Sequence, residues 1–488
     1  MSTQKNRVSY WPRFTSLLGL ILVTAIGLAG CGGSEDNTVG YVSTPDGVVP
    51  ITINSPAQIA QESADNYDDN NNGLITGVTL KRWKDDWLTE RPAGITGKLV
   101  ILQVAAGAAG AEYIMPNGMN VFTYDVGSDA WVMTRSNGVI NTRSMVPDGA
   151  SMDAILTKYN IDPHRDMIVV GMGTGGNFQA MVQGRIWYAF RYWGVEAKNL
   201  AILNGDNAWQ VTSGAMVAGD FQATASSAPN SGIATVKSLP ADNTALQATA
   251  EDLLNVLPAS DTNVLNDGVF IWDARGMNQY SAGEDDGTGV PVADYMTTFQ
   301  NAGSSQGHPR GALDLNFTNM LLSGEGYRYK DKADLAAYLD GNISGDGFVD
   351  ATYQPVGVGN AYQSGDTVYT YCETTYRAMI TGVTSAVILG KPTRFYDGAM
   401  VEWHSLTHLL DATGNYILPA DSPWRTDVKS FSVPAIDPSL VAQREIVDPY
   451  AAHANAIILA DKAYKTSATD TSGGGAGGGG LPPNPCGG

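Results

Sequence analysis

The chain has 488 residues, enough for two or three domains, and a 43% apolar composition supplies ordinary hydrophobic cores. A formal net charge of −20, with no basic stripe to offset it, excludes a nucleic-acid partner, because phosphate binding needs concentrated Lys and Arg. Three cysteines are too few for a disulfide scaffold.

In chain order, Lys5, Arg7 and Arg13 precede an apolar run from Leu17 to Ala29, the pattern of an export signal. Leu28-Ala29-Gly30-Cys31 resembles a bacterial lipobox. That resemblance implies a signal over residues 1–31, with cleavage leaving Cys31 lipidated and anchored in a membrane. Gly32 is no aspartate-type retention signal, so the implied address is the outer membrane, periplasmic or surface-facing. Residues 32–60 are rich in Gly, Ser, Thr and Pro without periodicity and read as a tether, the first part of a 32–76 segment. Within that segment Asp68, Asn70 and Asn72 place oxygens at alternate positions before Gly73. The spacing resembles a calcium loop of the EF-hand or dockerin type, although Thr79 stands where a bidentate glutamate is usual, and an Asn/Asp-rich turn is the other reading.

Residues 77–210 alternate helices and strands. Leu80–Trp87, Met152–Tyr159 and Gly184–Trp193 read as helices, and Lys98–Val104, Asp166–Gly171 and Leu200–Leu203 as strands. Apolar strands alternating with helices predict a parallel sheet covered on both faces, an α/β fold. The loop Gly171-Met172-Gly173-Thr174-Gly175-Gly176-Asn177 carries no Walker lysine and no cysteine. Residues 211–245, rich in Ala, Ser, Thr and Gly, read as an inter-domain linker.

The second domain spans 246–432. Ala250–Val256 and Ala333–Leu339 read as helices, and Val269–Arg275 as a strand ending in Asp-x-Arg. An insertion holds Asp340, Asn342 and Asp346, again candidate calcium ligands on alternate residues, with an exposed turn as the alternative. Val368–Tyr371 is an apolar β-rich run delivering Cys372 to the start of a helix predicted over Ala378–Leu389, with Gly390 as its stop. A helix N-terminus favours a thiolate and cradles anions, and Arg377 adds a cation. His404 and His408, four apart, could present two imidazoles to a metal, though no third ligand is evident. Residues 433–488 form an extension ending in a Gly-rich tail with Cys486, a thiol that could meet Cys372.

The run Cys372-Glu373-Thr374-Thr375-Tyr376-Arg377 resembles the active-site loop of the rhodanese (sulfurtransferase) family, with Thr375 where glycine is usual. A β-branched residue resists the positive φ of that position. Thr393-Arg394-Phe395-Tyr396-Asp397-Gly398 with Glu402-Trp403 resembles the family's domain ending, and Gly307-His308-Pro309-Arg310-Gly311-Ala312 its "GHIPGA" turn. Asp162–Val170, Arg191–Gly194 and Leu203–Trp209 resemble a rhodanese domain too, so the likeness is to tandem members of the family whose first domain is structural. Four residues separate Cys372 from Arg377, as in rhodaneses, whereas protein tyrosine phosphatases have five.

The resemblance implies Cys372 and Arg377 as catalytic residues, with Glu373, Thr374, Thr375 and Tyr376 binding substrate. Arg275 and Arg310 are donor-anion candidates by position. The implied reaction takes sulfur from thiosulfate or 3-mercaptopyruvate to a thiol acceptor. It requires no cofactor, so any calcium would be structural. The alternative is a non-catalytic or redox-switch accessory lipoprotein of an outer-membrane protein complex.

Overall fold

The computed structural model describes residues 40–282, 306–341, 346–408, 411, 413–433 and 445–467. Cys31, Asn342 and Cys486 lie outside the described residues, as does the side chain of His408.

Two five-stranded sheets, each parallel throughout, carry the fold. The first contains β1 (Gly73–Ile75), β2 (Leu99–Val104), β3 (Val121–Val126), β4 (Met167–Met172) and β5 (Leu200–Asp206), in the order β1-β5-β4-β2-β3. The second contains β6 (Gln247–Ala248), β7 (Val269–Asp273), β8 (Leu313–Asp314), β9 (Thr367–Tyr371) and β10 (Thr393–Tyr396), in the order β6-β10-β9-β7-β8. The α/β expectation is met, and one strand order is used twice.

Period-two burial gives each sheet two apolar faces. In the first sheet Leu99, Ile101, Met167 and Val169 pack with Leu80 and Trp83 of α1 (Gly77–Asp85). Val100, Leu102, Ile168 and Val170 face the other way, onto α2 (Gly149–Tyr159) and α3 (Asn177–Tyr192). In the second sheet Ile271, Tyr369 and Tyr396 pack on Leu253 of α4 (Ala250–Val256). The short helix α5 (Met277–Tyr280) follows β7. The opposite face, with Phe270, Val368 and Phe395, meets α6 (Lys332–Asp340) and α7 (Tyr376–Val383), while α8 (Ala399–His408) inserts Met400, Trp403 and Leu406 behind Tyr396.

The halves share one apolar cluster because α3 and α7 cross closely. Gly184 permits this, since a Cβ there would stand 2.8 Å from Met379 Cβ. The Tyr188 and Phe395 rings meet at 4.8 Å, and Arg185 forms a buried ion pair with Asp397 across the seam. Arg185 also donates to the carbonyls of Trp131 (3.1 Å) and Ser144 (2.8 Å).

Several expectations are corrected. The described part of the tether is ordered: Tyr41–Thr44 pairs with Gly47–Pro50, and Thr52–Ile53 pairs with Ala241–Asp242. The linker is stitched to the first domain, where Asp153 accepts from Thr235 Oγ1 (2.6 Å) and Val236 N (2.7 Å) while Val236 and Leu239 are buried. Polar side chains making backbone contacts leave no periodicity to read. The helix predicted over Ala378–Leu389 begins earlier as α7 and closes in a π-helical turn, Thr384–Ile388, with Gly390 at φ +65°. The extension contains α9 (Ala456–Thr466), which returns to the first domain. There Asp461 pairs with Arg135 (2.6 Å) and accepts from Tyr192 Oη (2.7 Å), and Lys465 donates to the Trp193 carbonyl (3.1 Å). Among the described residues no helix is long and apolar enough to cross a membrane.

Candidate active site

Open parallel sheets bind ligands beyond the carboxyl ends of neighbouring strands whose onward connections diverge. In the second sheet those neighbours are β7, which leads outward to β8, and β9, which leads the other way to β10. Their ends deliver Ala274-Arg275 and Cys372-Glu373 side by side, with Ala274 N donating to the Tyr371 carbonyl at 2.9 Å.

Cys372 is a free, fully buried thiol at the end of β9. The carbonyls of Cys372 and Glu373 accept from Met400 N and Val401 N, both at 3.1 Å, which ties the loop to α8. Thr375 has φ +67° and ψ −11°, so the left-handed turn forms without glycine. Its hydroxyl explains the exception: Oγ1 donates to the Asp397 carbonyl at 2.6 Å, with the Tyr396 carbonyl at 3.2 Å. Thr374 is half-buried, and the half-buried Tyr376 ring lies 6.0 Å from that of Phe178 at the start of α3.

Beneath the loop lies a buried charge cluster. Arg275 is clamped by Asp273 (Nε to Oδ1 2.9 Å, Nη2 to Oδ2 2.6 Å), donates to the Gly307 carbonyl, and holds Nη1 3.6 Å from Glu373 Oε2. Burial opposes its charge, but Asp273 outweighs that and raises its pKa. Tyr371 Oη also donates to Asp273 (2.9 Å). Burial pushes the Glu373 carboxyl up against the pull of Arg275 and Arg377, and burial followed by Asp273 pushes the enclosed Asp314 well above the usual carboxylate range. Gln279, on α5, accepts from Arg377 Nη1 at 2.5 Å and donates to Glu373 Oε2 at 3.3 Å.

Of the expected site residues, Cys372, Glu373, Thr374, Thr375, Tyr376, Arg377 and Arg275 converge. Arg275 is clamped by Asp273 through Nε and Nη2, while its buried Nη1 makes no hydrogen bond among the described residues and stands 3.6 Å from Glu373. Arg310 donates instead to the carbonyl of Ala259 (3.2 Å), and none of its described contacts reaches the Cys372 loop. Gln279 and Asp314 were not legible in the sequence: Gln279 sits on a four-residue helix with no motif, and Asp314 on a two-residue strand. The matching loop of the first sheet carries no thiol; Thr174 Oγ1 donates to the Ala106 carbonyl and Gly175 N to Asp206.

The two Asn/Asp-rich stretches make contacts of their own within the chain. Asn70 is buried, donating to the Leu74 carbonyl (2.6 Å) and accepting from Ala64 N (2.8 Å), while Asn72 accepts from Gln61 (3.3 Å) and the Asp68 carbonyl from Thr79 Oγ1 (3.0 Å). The chain then enters β1 at Gly73. Asp340 ends α6, and Asp346 accepts from Asn319 and Tyr338 Oη, both at 2.9 Å. Asn70, Asn72 and Asp346 thus spend side-chain oxygens on the scaffold, and Asp68 its backbone carbonyl. His404 is buried within the second domain. Among the described residues no group of three or more His, Cys, Asp or Glu is placed to hold a metal. A cleft of about 860 Å³, lined by Trp209, Arg328 and Lys332 among others, shares no lining residue with the Cys372 loop.

No family model matches the chain, and no curated protein does. Solved structures similar to it include the Tum1 protein from Saccharomyces cerevisiae, at 14% identity and a TM-score of 0.40, covering 68% of this chain and 95% of that one. The 3-mercaptopyruvate sulfurtransferase from Leishmania major is 14% identical, with a TM-score of 0.40 and coverage of 67% and 73%. SseA from Escherichia coli is 17% identical, with a TM-score of 0.40 and coverage of 67% and 98%.

Proposed function

We propose that the chain is a rhodanese-type sulfurtransferase, moving sulfane sulfur from a small anionic donor such as thiosulfate or 3-mercaptopyruvate through a Cys372 persulfide to a thiol or cyanide. The observation that carries the reading is the Cys372–Arg377 loop, which stands where the two strand connections diverge and makes its left-handed turn at Thr375. With thiosulfate, the Cys372 thiolate attacks the outer sulfur. The sulfur–sulfur bond breaks, sulfite leaves with its electron pair, and the sulfur stays on Cys372 as a persulfide. An acceptor thiolate or cyanide then attacks that outer sulfur and returns the Cys372 thiolate. No redox partner or cofactor is consumed. Arg377 supplies positive charge at the helix start, and the enclosure of Cys372 favours small donors. The reading includes attachment to the outer membrane through lipid on Cys31.

Intact mass of the protein from residue 32 onward, after incubation with thiosulfate, tests it. A gain of one sulfur, about 32 Da, lost on reductant or cyanide and absent in Cys372→Ser, supports the enzyme. No gain with any of several sulfur donors overturns it. The full burial of Cys372 favours a second reading, an accessory lipoprotein of a membrane complex, in which Cys372→Ser leaves partner binding intact.

A further inference from the structure

We infer that Gln279 is a positioning residue that aims Arg377 at the anionic end of the sulfur donor, so that donor charge is read through the α5 amide; this rests on the sulfur-transfer reading above. The geometry leaves little freedom. Gln279 is 4% exposed, and its carboxamide is oriented by what lies on either side. The carbonyl oxygen faces a guanidinium that can only donate (Arg377 Nη1, 2.5 Å), and the amide nitrogen faces the Glu373 carboxyl oxygen at 3.3 Å. Glu373 is in turn held at 3.6 Å by Arg275, itself locked by two contacts to Asp273. A continuous chain, Asp273 to Arg275 to Glu373 to Gln279 to Arg377, thus runs from the end of β7 to the end of the Cys372 loop.

This arrangement does two things. It spends one Arg377 donor on a neutral amide rather than on a carboxylate, which keeps the positive charge available and leaves four N–H donors, of the roughly five an arginine carries, for a ligand. It also places the amide between Arg377 and Glu373, so the guanidinium makes its short contact to a neutral group while the Glu373 carboxyl still feels its charge. Of the expected cations, Arg275 is clamped by Asp273 and Arg310 donates to Ala259, whereas Arg377 stands in the Cys372 loop itself with N–H donors to spare.

The test compares thiosulfate, a dianion, with methanethiosulfonate, a monoanion, as donors, with cyanide as acceptor and thiocyanate formation as the readout. The variants are Gln279→Met, which keeps the volume and removes the amide, and Gln279→Glu, which adds a charge beside Arg377. Thermal melts are run alongside. The expected result is a kcat/KM for thiosulfate about tenfold lower in Gln279→Met, carried mainly by KM, and lower again in Gln279→Glu. The loss for methanethiosulfonate should be smaller in both variants. Equal losses with the two donors, tracking any fall in melting temperature, would show a structural role and overturn the inference, as would unchanged kinetics. Wild-type turnover with an unchanged donor ratio removes the inference alone. Absence of wild-type turnover with either donor removes the sulfur-transfer reading and the inference with it.

Discussion

Thr375→Val isolates the contact that holds the Cys372 loop in its left-handed turn. Valine has the same shape and branching, so the strain at φ +67° is carried over unchanged. What is lost is the hydroxyl proton shared by the Asp397 carbonyl (2.6 Å) and the Tyr396 carbonyl (3.2 Å), at a site with no solvent exposure. A buried acceptor left without its donor costs about 1–3 kcal/mol. In a chain of this size that corresponds to a melting temperature lower by about 1–3 °C. Thr375→Gly loses the same bond but releases about 1–2 kcal/mol of left-handed strain and returns about 0.5–1 kcal/mol in backbone entropy, so it should melt above the valine variant. Thermal unfolding followed by circular dichroism measures both, with sulfur loading as a second readout of loop geometry. A valine variant with the same melting temperature and denaturant midpoint as wild type, or a glycine variant melting below valine, would refute the argument that the hydroxyl holds the turn.

Arg185→Met leaves the Asp397 carboxylate buried opposite an apolar side chain, and the expected loss is about 3–5 kcal/mol, read as an earlier denaturant midpoint. A loss below about 1 kcal/mol would show that the pair does not hold the seam. Burial pushes Glu402 up to about 7 even though Tyr396 and Asn137 hydrogen-bond to it. Because the folded state holds a proton that the unfolded chain releases, this contribution is complete below about pH 4.5 and is lost as pH rises through about 7, some 3 kcal/mol in all. Glu402→Gln should flatten that decline when melts at pH 5 and pH 8 are compared, and an unchanged slope would count against it.

Continuous apolar runs made the central strands legible. Leu99–Val104, Met167–Met172 and Thr367–Tyr371 are buried on both faces and read as strands at first sight. The Cys-to-Arg spacing and the stop at Gly390 were equally local. Gln247–Ala248 and Leu313–Asp314, at two residues each, offer no period to detect, yet they complete the second sheet. Thr375 shows a different limit. Its own side chain argues against the turn it makes, and the acceptor that decides the matter lies 22 positions downstream. Arg275 was visible as a cation, but that its charge is spent on Asp273, two residues back, depends on how the end of β7 bends. The alternating Asp68, Asn70 and Asn72 were legible as a pattern, but that Asn70 serves the backbone of Ala64 and Leu74, and Asn72 the Gln61 side chain, was not visible from spacing.

The return of α9 to the first domain orders the assembly of the chain. Arg135 meets Asp461 only 326 positions later. Until that segment is available the first half presents an uncapped apolar patch and an arginine without its carboxylate, the kind of surface that makes partly folded chains prone to aggregation. Completion of the earliest-made domain therefore waits on a helix made after the second sheet, and a chain truncated before Ala456 loses stability in the half farthest from the cut.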